Sequence, residues 1–175
     1  GLNTLKHQPA KLAAIEGHWE TNHNEAMPLL LFAIPNMDKE ENLYEVGIPH
    51  LGSLILTHSM EGKVTGLKDF APEDRPNATI VFWSFRVMVG LGMLMVLLSF
   101  FALWLRKKGK LYGSFWFHKF AFVMGPTGYI ALLAGWVTTE VGRQPWVVYG
   151  VIRTQHGLSH TVTAEQVGLS LIIFV

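Results

Sequence analysis

The sequence predicts an all-α integral membrane protein with two complete transmembrane helices, the start of a third, and a loop region outside the bilayer. Three observations predict it. Charged residues are only 15% of the 175 positions, against about 25% in an average soluble domain. Residues 80–105 carry one charge, Arg86, and residues 115–139 carry one formal charge, Lys119. Each run exceeds the about 20 apolar helical residues that cross a bilayer core of about 30 Å, and soluble core helices this long and apolar are rare.

The same composition excludes several classes. An apolar chain with no Cys is neither disordered nor a disulfide scaffold, and it has no thiol chemistry and no Cys-ligated zinc or iron–sulfur site. A net charge of +1 gives no reason to invoke nucleic acid.

Residues 1–79 read as a polar segment outside the membrane, punctuated by Gly and Pro. Within it, Pro9 suits a first helical turn, good helix formers run to Glu16, and Gly17 stops them. Residues 27–34 and 48–58 are apolar runs too brief to span. Residues 71–77 are rich in turn formers and lead into the first span, residues 80–105. Residues 106–114 form a short loop with four cations, Arg106, Lys107, Lys108 and Lys110. The positive-inside rule places that loop in the cytoplasm, so residues 1–79 and the loop 142–166 lie on the outer, periplasmic side. The second span covers residues 115–141, and Pro145 disfavours helix at Gln144, where the helix is expected to end. Residues 167–175 begin a third apolar run, too short to cross. With no initiator Met and no signal-peptide pattern, the chain reads as a piece of a larger membrane protein.

Arg86 sits about two turns inside the first span. A charge at that depth is costly and marks a functional site by default, although snorkelling to the interface would also account for it. Met88 fills apolar space like any core Met, but its thioether is also an acceptable axial haem ligand. Two residues apart on a helix is about 200° of rotation, so Arg86 and Met88 cannot both face one ligand squarely. If both serve a haem, Met88 faces the iron and Arg86 bends round to a propionate.

Trp136, Glu140 and Arg143 share one face of the second span near its outer end. They form either an interfacial ion pair with a neighbouring aromatic ring or part of a cofactor site. Ala121, Gly125, Gly128 and Gly135 make a small-residue stripe that admits a helix or a flat cofactor. Of the eight His, only His156 and His160 have a ligand-like i, i+4 spacing, and Gly157 weakens a helix there.

Three strings together resemble subunit I of the cytochrome bd-type quinol oxidases. They are His7-Gln-Pro-Ala-Lys-Leu-Ala-Ala-Ile-Glu16, Phe85-Arg-Val-Met88, and Gly135-Trp136 followed by Glu140-Val-Gly-Arg-Gln-Pro-Trp146. They run in order along nearly the whole chain, and the short stretch before the first span suits the short-loop branch that includes the cyanide-insensitive oxidases.

The resemblance implies Met88 as an axial ligand of a low-spin haem b, with Arg86 tuning it. It implies Lys11, Glu16 and Gln8 at a quinol site, and Glu140 at a high-spin haem b and haem d site as ligand of the high-spin haem b iron. Trp136 stands beside Glu140, and Arg143 pairs with Glu140 or reaches a haem propionate. It further implies a quinol:oxygen oxidoreductase of the bacterial cytoplasmic (inner) membrane, multi-pass and electrogenic, partnered by a subunit II, quinol, oxygen and the lipid bilayer. The family's histidine ligands lie upstream of this sequence, so these residues do not hold a full haem set. The rival readings are a transporter or channel segment with Arg86 and Glu140 lining a path, and a structural subunit whose charges only anchor helices.

Overall fold

The computed structural model describes residues 2–22, 26–59, 62–157 and 162–174. In chain order its elements are α1 (Leu2–His7), α2 (Pro9–Glu16), β1 (Leu29–Asn36), β2 (Glu41–Ile48), α3 (Leu51–Thr57), α4 (Ala78–Lys107), α5 (Phe115–Val123), α6 (Thr127–Val141), β3 (Trp146–Val148), β4 (Ile152–Arg153) and α7 (Ala164–Phe174). Single 3-10 turns lie at Leu67–Asp69, Pro72–Asp74 and Thr154–His156.

The all-α expectation is corrected. β1 and β2 pair antiparallel from Leu29↔Ile48 to Asn36↔Glu41, and β3 and β4 form a second, smaller hairpin. The run 27–34 was read only as too short to span. It is strand because the β-rich stretch before Pro35 is followed within a few residues by a partner, Glu41–Ile48, that completes its hydrogen bonds.

α2 forms as its residues dictate. Pro9 stands in its first turn, and Gly17 caps it in the left-handed conformation at φ 64, donating to Ala13 and Ala14 carbonyls. The helix is unusually buried for its length, with Leu12, Ala13, Ala14, Ile15 and Glu16 all enclosed. Ala13, Ala14 and Ile15 pack with Trp19, Leu67, Ala78 and Val81, which ties the N-terminal segment to the start of α4. Leu12 joins Met27, Leu56 and Val64 in a second cluster beneath the hairpin.

α4 is 30 residues long, two residues longer at each end than the sequence suggests. Asn77 starts it by accepting from the Ile80 N–H at 3.1 Å, a cap that contributes about 1 kcal/mol. Arg106 and Lys107 close it favourably against the helix dipole. Residues Phe115–Val141 make the second stretch long and apolar enough to cross a membrane. One continuous helix was expected there, and the structure shows two. Pro126 has no N–H to give the preceding turn, so residues 124–126 form turns and α6 restarts at Thr127. α6 ends at Val141, three residues before Gln144, and packs along α4. Phe100, Leu97, Leu132 and Trp136 are among the large apolar side chains left bare on these helices, as lipid or further protein would require.

Candidate functional site

Three segments far apart in sequence meet where α2 ends. Glu16, the last residue of α2, is only 4% exposed. Arg86, more than two turns into α4, reaches it with Nη2 donating to Oε2 at 3.0 Å. The Arg86 Nε donates to the Leu30 carbonyl of β1 at 2.9 Å, and the guanidinium stands over the Phe82 ring at 4.6 Å. A carboxylate at a helix C-terminus opposes the helix dipole, and a lone charge buried this deeply is strongly destabilising. The ion pair offsets both. Arg86 therefore does not snorkel into water.

Gly17 is required on two counts. Its φ of 64 lies in the left-handed region, and a Cβ there would approach the Phe82 ring to 3.1 Å. Asn42 of β2 fastens the same corner: its Nδ2 donates to the Gly17 carbonyl at 2.7 Å and to Glu45 at 2.6 Å. Its Oδ1 accepts from Trp19 Nε1 at 2.8 Å. Sequence reasoning missed Asn42, since an Asn in a strand carries no local signal of such a role.

A polar pocket of about 420 Å³ opens beside this corner, lined by Glu16, His18, Glu41 and Glu45 with Lys39 and Lys68 at its edges. His18 was also missed. Its Nε2 is buried without a hydrogen-bond partner, and burial pushes the ring's pKa down, opposed by Glu45, a backbone hydrogen bond at Val64, and Glu20.

Lys11 lies on a different side of α2. Its Nζ donates to the Thr139 carbonyl of α6 at 3.3 Å, and its stem passes over Gly142. Burial lowers its pKa, Arg143 lowers it further, and Glu140 opposes them. Lys11 and Glu16 thus face α6 and α4 respectively and do not pair. Gln8 occupies the cap position of α2 without a side-chain cap bond.

Met88 is half-buried, and its thioether lies over Gly135, whose absent Cβ would stand 2.7 Å from Sδ. Within the small-residue stripe, Gly135 alone makes this close approach: a Cβ at Gly128 would meet nothing, and one at Gly125 would meet the Phe122 carbonyl. Ser84 and Thr138 hydroxyls join α4 to α6 at 2.9 Å nearby. Glu140 and Arg143 form a loose pair at 3.8 Å, with side chains 51% and 40% exposed. Trp136 is bare on the same helix. Beyond them, Arg153 stacks on Trp146 and pairs with Asp74 at 2.7 Å, holding the second hairpin to the turn before α4.

Among the described residues no three His, Asp or Glu side chains converge on a metal site. The pair His156 and His160 cannot be judged, because His160 lies outside the described residues. What remains are single donors: on α4 the thioethers of Met88, Met93 and Met95, of which Met88 faces α6, and on α6 the carboxylate of Glu140. A thioether and a carboxylate are each chemically able to ligate a haem iron.

The family model for "Cytochrome bd terminal oxidase subunit I" matches residues 1–175. The chain is 34% identical to the cytochrome bd ubiquinol oxidase subunit 1 of Bacillus subtilis (strain 168), across 97% of this chain and 38% of that protein. It is 30% identical to the cytochrome bd-II ubiquinol oxidase subunit 1 of Escherichia coli (strain K12), across 96% of this chain and 45% of that protein. The alignment to the second runs over 233 positions and to the first over 179, so the E. coli protein carries extra residues within the aligned span. The structure of bd oxidase from Geobacillus thermodenitrificans superposes with a TM-score of 0.76 at 30% identity, covering 97% of this chain and 38% of that one. The chain therefore spans less than half the length of these relatives.

Proposed function

Because the chain belongs to the cytochrome bd terminal oxidase subunit I family, we propose that it forms the quinol-oxidising and part of the haem-binding portion of a terminal oxidase in the bacterial inner membrane. The observation that carries this reading is the buried Glu16–Arg86 pair at the edge of a polar pocket, with Met88 two residues further along the same helix. A quinol must shed two protons as it loses two electrons, and a positioned carboxylate assists that loss. Glu16 supplies the carboxylate. Lys11 and Gln8, on the other flank of α2, orient the quinol oxygens or hold the segment that does so.

Met88 is the thioether ligand for a low-spin haem b, with Arg86 close enough along α4 to influence its charge. Glu140 is the carboxylate ligand for a high-spin haem b next to haem d, with Trp136 and Arg143 at its flanks. When bound, the haems supply one-electron transfer and oxygen reduction to water. The protein residues hold them, keep α4 and α6 in register through Gly135 and the Ser84–Thr138 bond, and take up protons from quinol on the periplasmic side. Proton release there, with the protons for oxygen reduction drawn from the cytoplasmic side, would make the reaction electrogenic. The remaining helices, the other haem ligands and subunit II complete the enzyme, and the short segment between Glu61 and α4 supports the short-loop branch.

The test is quinol-driven oxygen consumption by the full-length oxidase carrying Glu16→Gln, with haem content followed by reduced-minus-oxidised spectra. The proposal expects turnover to fall at least tenfold with the spectra intact. Unchanged turnover at limiting and saturating quinol alike removes Glu16 from the site.

A further inference from the structure

We infer that His18 is the outward proton relay of the Glu16 site, carrying protons from the Glu16 carboxyl into the polar pocket beneath the first hairpin. The inference rests on the reading of Glu16 as the quinol's proton acceptor. Three observations carry it: His18 and Glu16 line one pocket, the Nε2 of His18 is buried with no partner, and the far wall of that pocket is acidic.

A buried polar nitrogen left unpaired is destabilising, and a site that retains one invites an explanation. The chemistry supplies it. The Val64 backbone favours the protonated ring, and since Nε2 has no partner we place that contact at Nδ1. With Nδ1–H donating to the backbone, a neutral imidazole keeps its acceptor lone pair on Nε2. Burial favours this neutral form, while Glu45 of β2 and Glu20 beyond α2 favour the cation. A ring under such opposing influences can load and unload a proton. The charged groups around the pocket, Glu20, Glu40, Glu41 and Glu45 with Lys39 and Lys68, come from the segment after α2, from the hairpin and from the turn at Leu67–Asp69. Glu20 pairs with Lys68 and Glu40 with Arg75, so Glu41 and Glu45 against Lys39 leave the acidic excess beside His18.

The quinol's two hydroxyl O–H bonds break as it is oxidised, and a haem of the oxidase, when bound, would accept its two electrons one at a time. Glu16 takes the first proton as a new carboxylic O–H. That bond breaks as an Nε2–H bond forms on His18, whose ring must turn out of its buried position to meet Glu16, and the imidazolium then releases the proton to pocket water. Glu16 is free again for the second proton. One carboxylate alone would have to wait for its proton to leave directly past Arg86.

The experiment is turnover of the full-length oxidase bearing His18→Gln, whose amide can still bond the Val64 backbone. The electron donor is a reduced short-chain ubiquinone, assayed from pH 5 to 8, and haem spectra report assembly. A second donor, tetramethyl-p-phenylenediamine, gives electrons without protons. The expected result is about a tenfold loss with quinol, disappearance of the acid limb of the wild-type pH profile, and wild-type rates with the proton-free donor. An equal loss with both donors, or a loss with the acid limb intact, assigns His18 a structural role and overturns the inference. If Glu16→Gln is slow while His18→Gln keeps the wild-type rate and profile, the relay fails and the quinol site stands. If neither substitution slows turnover, both readings fail.

Discussion

Replacing Arg86 with Met tests the pair on which the site is built. The substitution keeps an unbranched stem of similar length and removes the guanidinium. In the structure this strips Glu16 of its only cationic partner among the described residues, leaves the Leu30 carbonyl without its 2.9 Å donor, and ends the contact with the Phe82 ring. The side chains of Arg86 and Glu16 are 13% and 5% exposed, so water does not replace the lost partner. Removing one member of such a buried pair costs about 3–5 kcal/mol. The cost falls on α2, because its C-terminus must swing out to hydrate the carboxylate. Amide hydrogen exchange of residues 12–17 reads that local opening, and at about 1.4 kcal/mol per decade the expected acceleration is about 100- to 4,000-fold. The double variant Arg86→Met with Glu16→Gln removes both charges and should recover most of the protection, since an uncharged pair of similar volume is close to neutral. Equal exchange in the single and double variants would show that Glu16 is already hydrated and that the pair does not organise the site.

Three further outcomes follow from the helix pair. Met88→Leu changes volume little and should alter stability by less than about 1.5 kcal/mol, while the low-spin haem b signal disappears from the reduced-minus-oxidised spectrum; an unchanged signal removes Met88 as its ligand. Gly135→Ala would place a methyl 2.7 Å from Met88 Sδ, so the sulfur must move, and a shifted low-spin band with about 1–3 kcal/mol lost stability is expected; an unshifted band would mean that Met88 is positioned independently of α6. Glu140→Ala should abolish the high-spin haem and haem d signals with thermal stability nearly unchanged, because its exposed pair with Arg143 is worth less than about 1 kcal/mol, and Glu140→Asp should be milder; normal haem d content in Glu140→Ala reduces the residue to an ion-pair partner.

The sequence made the helices legible and left the corner between them hidden. Both spans announce themselves through composition, and Pro9 with Gly17 marks the limits of α2 because those residues constrain their own backbones. The hairpin of β1 and β2 escaped because one strand is half polar and their pairing is settled by each other. The break at residues 124–126 carried a plain local signal, Gly125-Pro126, that the uniform apolarity of the span masked. Arg86 was legible as a charge out of place, but its partner was not: Glu16 lies 70 positions away, and no periodicity reports a contact of that range. The family was readable in the motifs. His18 stands two residues past the recognised string and Asn42 lies on β2, 26 positions away; their roles arise only where the hairpin folds against the end of α2.

Arg86 and Met88 divide the work of one helix between two faces. Their separation of about 200° turns the guanidinium to the N-terminal segment and the thioether to α6, as the contacts with Glu16 and Gly135 show. On the proposed reading, electrons and protons therefore part at α4: electrons pass to the haem held by Met88, and protons stay on the Glu16 side with the polar pocket. Any change of charge at the Met88 haem acts on Arg86 through about 3 Å of helix rise, and Arg86 in turn sets the charge environment of Glu16. The redox state of the haem and the proton affinity of Glu16 are then linked through one side chain, and linkage is reciprocal. Protonating Glu16 must make the haem easier to reduce by as much as reducing the haem favours that protonation. The midpoint potential of the low-spin haem should accordingly vary with pH in the wild type, and in Glu16→Gln that dependence should flatten. A dependence of the same slope in both proteins would mean that α4 separates the two sites and does not couple them.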